Sequence, residues 1–164
     1  MRVTQWIWAG PVAFVIHDAE EIATIERWLE MHAAQLAPIV QPLIGITTRR
    51  FAAAVVLLLV GFTLAAAHGA RRAHRHLPSI PFLLVAGAFA ANGATHLAQA
   101  AYFGGYTPGA LSAILIVLPY SVGLGRSLSR NGIVTRRTFA AAVVAGALLQ
   151  VPIALLALAA VRGR

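Results

Sequence analysis

Cysteine is absent from the 164 residues, which excludes disulfides, thiolate metal sites, cysteine nucleophiles and iron–sulfur clusters together. Lysine is absent as well, so thirteen arginines carry all the fixed positive charge. Acidic residues are scarce and confined. All five (Asp18, Glu20, Glu21, Glu26 and Glu30) fall within HDAEEIATIERWLE, from His17 to Glu30. No small-residue cleavage pattern follows the N-terminal apolar run, so Arg2 and that run are read as a retained first span, not a signal peptide. No internal repeat stands out beyond alanine-rich segments.

What is abundant is apolar. Hydrophobic residues make up 59 % of the chain and the mean hydropathy is +0.77, against about 45–50 % apolar residues in soluble domains. A net charge of +8 could signal nucleic acid, but the arginines sit in short clusters between apolar runs. That is the distribution of loops flanking membrane spans, so nucleic acid is set aside as a partner. The reading is an all-α polytopic membrane helix bundle of about five transmembrane helices, forming one unit over residues 1–164. The spans are placed at 5–35, 51–67, 80–102, 107–124 and 139–161. Pro81 sits where a first-turn proline is tolerated, and Pro11 and Pro119 are expected to kink their helices. The segment LAPIVQPLIG, with Pro38 and Pro42, is left unassigned.

Arginine counts give the orientation. With the N-terminus inside, Arg2, Arg71, Arg72, Arg75, Arg126, Arg130, Arg136 and Arg137 are cytoplasmic, while Arg49, Arg50, Arg162 and Arg164 lie outside. A multi-pass protein of the bacterial inner membrane, N-terminus in the cytoplasm, is expected. Its Ala- and Gly-rich helices suit close packing in lipid, and a homo-oligomer is compatible with them.

Charged groups inside a membrane span mark functional sites by default. At helical spacing His17 neighbours Glu20 and Glu21, three and four residues on, so an imidazole and two carboxylates share one face. Thr24 and Trp28 extend that stripe, and Asp18 turns away. Taking Trp6 and Trp28 as an interfacial tryptophan pair, 22 residues span about 33 Å, close to a hydrocarbon core of about 30 Å. His17, Glu20 and Glu21 then lie inside the membrane, and Glu26, Arg27 and Glu30 form a solvated helix end.

The same ruler tests the other spans. Counted from Ile80, His96 lies about 24 Å deep, and Glu21 lies about 22 Å from Trp6. Asn92 and Gln99 flank His96 near the levels of His17 and Thr24, and Gln150 falls near His17. Taken singly, each has a plainer role. A lone intramembrane histidine is more often a helix-to-helix hydrogen-bonder than a ligand, and Asn or Gln in a span is more often packing glue. The coincidence of depth across three helices favours a shared site. His68, His74 and His76, among loop arginines, are read as facing solvent or headgroups, and Tyr106 and Pro108 as shaping a turn.

The His17–Glu21 segment resembles the family named for its HXXEE motif, a group of small bacterial membrane proteins. NGATHLAQA, with Asn92 and His96, is similar to that family too, as is YTPGALSAILIVLPYS, with Tyr106, Pro108, Gly109 and Pro119. The resemblance implies architecture and site position, not a reaction. A second comparison is with the intramembrane CAAX-type proteases, which carry EExxxR and helical histidines. Here Ile25 stands where that arginine belongs, and Asn92, not phenylalanine, precedes His96 by four residues. The protease reading is set aside.

Function follows from the donor set. Glu20, Glu21 and His17 are the candidate catalytic groups, and His17, Glu20, Glu21 and His96 the candidate metal ligands. Asn92, Gln99 and Gln150 are placed against substrate or behind the ligands. A divalent metal (iron, zinc or manganese) suits hard oxygen plus imidazole and offsets repulsion between adjacent carboxylates. The expectation is a metal-dependent membrane enzyme, its partners membrane lipid and a lipophilic or lipid-linked small-molecule substrate. The alternatives are metal-free acid–base isomerisation or cyclisation of an isoprenoid, or a non-catalytic role as a lipid- or peptide-binding membrane protein or a proton-coupled carrier.

Overall fold

The computed structural model describes residues 1–36 and 45–161. Among these, every regular element is helical. Five long helices run α1 (Val3–His32), α2 (Thr48–Ala73), α3 (Ile80–Phe103), α4 (Ala110–Arg130) and α5 (Arg136–Ala160). The last four are long and apolar enough to cross a membrane. The acidic cluster keeps α1 out of that class, although its 30 residues reach about 45 Å.

Helix boundaries follow local chemistry. Thr47, Ser79 and Thr135 cap α2, α3 and α5 by accepting from the amides of Arg50, Phe82 and Thr138. Pro81 occupies the first turn of α3 as expected. The far end of α3 closes on Gly104 in the left-handed region (φ 66°), with Gly105 N–H donating to Ala100 O and Gly104 N–H to Ala101 O. Helix α1 runs on through Pro11. Before Pro119, α4 widens into a π-helical turn at Ala113–Val117. Proline supplies no N–H and its ring crowds the carbonyl four residues back, and a wider turn accommodates both defects.

Small residues set the helix spacing. A Cβ on Gly87 of α3 would lie 2.1 Å from Ala142 O, and one on Gly146 of α5 would lie 2.1 Å from Ala88 N. Backbones in that contact leave no room for a side chain, and α3 with α5 is the most extensive helix pair. Between α1, α2 and α3 the rings of Phe14 and Phe89 each meet Phe62 edge-on and are tilted to one another, with centroids 5.6–5.8 Å apart.

Several expectations are refined. Trp28 packs within the protein. It is buried with Leu29 and Ile46, and its ring stacks on His32 at 4.4 Å. Trp6 lies against Tyr120 and over Gly123. Trp28 is buried and Trp6 partly buried against α4, so the ruler serves for relative depth alone. Glu26 is not merely solvated. It accepts from the Thr48 backbone N–H at 2.6 Å and from the Thr48 hydroxyl, tying α1 to the first turn of α2. His68 is exposed, as expected, and also meets the Ser79 hydroxyl at 2.7 Å. Pro38, Pro42, Arg162 and Arg164 lie outside the described residues.

Candidate metal centre

Helix α1 delivers His17 and Glu21 on one face, because four residues make little more than one turn. Helix α3 brings His96 to the same level. Glu21 Oε1 stands 2.7 Å from His96 Nε2 and 3.4 Å from His17 Nε2. One donor atom from each residue lies within 4.8 Å of the other two. The imidazoles meet edge to face at 4.9 Å, with Phe89 against His17 at 5.8 Å. His17 is fully buried, and Glu21 is only 13 % exposed. The depth match between Glu21 and His96 is therefore a physical contact.

The surrounding hydrogen bonds fix the chemistry of these atoms. Ser112 Oγ donates to Gly109 O (3.3 Å), which leaves it to accept from His17 Nδ1 at 2.8 Å. The Asn92 amide donates to His17 Nε2 at 3.0 Å. Both contacts assign the proton to Nδ1 and a lone pair to Nε2. Glu21 Oε1 stands beside that atom as well, at 3.4 Å. His96 Nε2, although 2.7 Å from the same oxygen, lies off the line of a hydrogen bond, and neither of its ring nitrogens has a hydrogen-bond partner. Of the three converging atoms, His17 Nε2 accepts from Asn92, while His96 Nε2 is buried without the hydrogen bond that ordinarily justifies such burial.

A cover closes this group from the side of the α3–α4 turn. Gly109 has φ 79°, and a Cβ there would lie 2.8 Å from the Cε1 atoms of both His17 and His96 and 2.9 Å from Glu21 Oε1. Only glycine satisfies the conformation and the space. The turn is pinned by Trp28 Nε1–H donating to Tyr106 O (3.1 Å) and by the fully buried Thr107, whose hydroxyl reaches His96 O (3.5 Å).

Glu20 is not in the converging group. Its Oε2 accepts from Ser112 N–H (2.7 Å), and its Oε1 from the Tyr106 hydroxyl (2.7 Å) and Leu111 N–H (3.3 Å). A carboxylate here satisfies the first free amides of α4 and complements the positive end of that helix. Burial, together with the Glu20 carboxylate, raises the Tyr106 phenol above its ordinary value, so its proton stays on to donate. The three marked positions thus divide their labour: His17 and Glu21 face the centre, and Glu20 anchors the helix whose Ser112 orients His17.

The other candidates separate. Asn92 donates to His17 Nε2, the nitrogen on the side of the centre. Gln99 is exposed on α3, and Gln150 on α5 keeps its Oε1 buried without a partner, apart from the centre. Asp18, read as turned away, is buried beside the group with Oδ2 unpartnered. Sequence reasoning missed Ser112 and the role of Gly109, and left Tyr106 as a turn residue. A serine in an otherwise apolar run was the available signal for the first.

The fold and this group define a membrane-type helix bundle built around a buried His–Glu–His cluster. The chain belongs to the HXXEE family, whose model, described as a protein of unknown function with HXXEE motif, matches residues 8–124. That range holds every residue of the centre and its cover, and stops short of α5. Comparison with curated proteins and with solved structures gives no match.

Proposed function

We propose that the protein is a metal-dependent membrane enzyme acting on a lipophilic or lipid-linked substrate, with one divalent cation held by His17 Nε2, Glu21 Oε1 and His96 Nε2. The observation that carries this reading is the convergence of those three atoms within 4.8 Å, under a glycine whose Cβ would fill the same space. Two imidazoles and one carboxylate are the donor set of three-ligand catalytic zinc sites and of iron facial triads. Zinc or iron therefore fits ahead of manganese. A bound cation supplies Lewis acidity at the coordination positions that three protein ligands leave open.

The protein's own groups do the rest. Ser112 accepts the Nδ1 proton of His17 and so presents Nε2 to the centre, the outer-shell arrangement that metal-ligating histidines use. Glu20 acts through Ser112 as a positioning residue. Asn92 occupies His17 Nε2 until a cation takes that lone pair. The α3–α4 turn excludes water from one side. On this reading residues 1–164 form one unit in a bacterial inner membrane, N-terminus cytoplasmic, because that orientation gathers most arginines on the cytoplasmic side.

Elemental analysis of protein purified without added metal tests the proposal. Close to one equivalent of zinc or iron per chain is expected, falling to background in Glu21→Gln and His96→Ala. A content near zero that iron, zinc or manganese cannot restore contradicts it. The 2.7 Å approach of His96 to Glu21 would then favour metal-free proton transfer between these two groups.

A further inference from the structure

A second feature lies at the opposite end of α4. A cleft of about 780 Å³ opens between the start of α1 and the outer face of α4. Ile114, Leu118 and Val122 form its wall along α4, Trp6 faces them from α1, and Arg126 and Arg130 close its end. From Ile114 to Arg126 is twelve residues, about 18 Å at the helical rise, comparable to one leaflet of a hydrocarbon core about 30 Å thick.

The charge at that end is one-sided. Arg126 and Arg130 are exposed, one turn apart, and make no ion pair among the described residues. Every acid of the chain is on α1 at Asp18 or beyond, at least twelve residues, or about 18 Å, past Trp6. Two guanidinium groups with no acid near them recognise a phosphate by paired, directional hydrogen bonds. The wall above them is apolar and would be left uncovered by a free anion. We propose that this cleft binds one anionic phospholipid, its phosphate on Arg126 and Arg130 and one acyl chain along Ile114, Leu118 and Val122. The site is separate from the His–Glu–His centre and does not depend on a metal there.

The test uses the full chain, delipidated in a neutral detergent. It is titrated with phosphatidylglycerol, with phosphatidylcholine of the same chains, and with inorganic phosphate, and followed by native mass spectrometry and thermal melting. Phosphatidylglycerol is expected to bind one per chain and raise the melting temperature, with phosphatidylcholine much weaker and phosphate without effect. An arginine near an anionic headgroup is worth about fivefold in affinity, so Arg126→Gln with Arg130→Gln should weaken phosphatidylglycerol by roughly 25-fold. Equal binding of phosphatidylcholine, or equal protection by inorganic phosphate, overturns the proposal. So does unchanged phosphatidylglycerol binding in a double variant that melts like the unliganded parent. The lipid comparison on the unaltered protein decides the matter even if that variant fails to fold.

Discussion

Replacing Gly109 with alanine should damage the centre far more than its size suggests. The left-handed backbone at φ 79° costs a residue with a Cβ about 1–2 kcal/mol. The methyl would also come within 2.8 Å of two imidazole carbons and 2.9 Å of Glu21 Oε1. Forcing a group into packed surroundings adds about 1–3 kcal/mol, for a total of about 2–5 kcal/mol. Gly104 supplies the control. It has φ 66°, but a Cβ there meets nothing within 4 Å, so Gly104→Ala carries the strain of about 1–2 kcal/mol alone. Both variants would be unfolded in mixed micelles by titrating a denaturing detergent, and their metal content measured beside the parent. Gly109→Ala should be the less stable by about 1–3 kcal/mol and lose metal, while Gly104→Ala keeps it. Equal destabilisation with metal retained in both would mean that the turn does not press on the centre.

Ser112→Ala should leave the buried His17 Nδ1 proton without an acceptor, costing about 1–3 kcal/mol, and lower metal affinity about 10–100-fold in a competition titration. Glu20→Gln should destabilise the fold by about 1–3 kcal/mol, because an amide cannot match a carboxylate at the α4 amides, yet retain most of the metal. Complete metal loss there would make Glu20 a ligand. Asn92→Ala removes the donor that competes for His17 Nε2, so it should lower metal-free stability by about 1 kcal/mol without lowering metal affinity. A tenfold fall in affinity would place Asn92 on the cation. Gly146→Val puts a branched side chain where a Cβ alone would lie 2.1 Å from Ala88 N, and should cut the yield of folded protein by separating α3 from α5. Normal yield and melting would refute the close backbone contact.

The sequence reveals the centre where spacing along one helix decides it, and loses it where the fold of a turn does. His17 and Glu21 are legible as neighbours at i and i+4, and His96 by matching depth. Asn92 and Gln99 lie seven residues apart and only about 20° from one another around α3, so periodicity does not separate them; Asn92 meets His17 Nε2, while Gln99, nearly two turns further along, is exposed. Gln150 shows the limit of a depth argument, which fixes level and leaves direction open. Glu20 was grouped with the ligands because i+3 and i+4 share a face. The α3–α4 turn returns against that face and gives Glu20 two backbone amides and a phenol instead. No periodicity foretells such contacts, since the partners lie more than 80 residues apart in the chain. The tryptophan ruler gave the right relative level for α1 and α3, whose side chains meet at several heights, Phe14 with Phe89, Glu21 with His96 and Trp28 with Phe103.

X-ray absorption at the metal edge of purified, zinc- or iron-loaded protein tests the central claim most directly. Two imidazoles and carboxylate oxygen should surround one metal, and His96→Ala should remove one imidazole from that shell. A metal with no imidazole around it, or a shell that both His17→Ala and His96→Ala leave unchanged, would contradict the assignment.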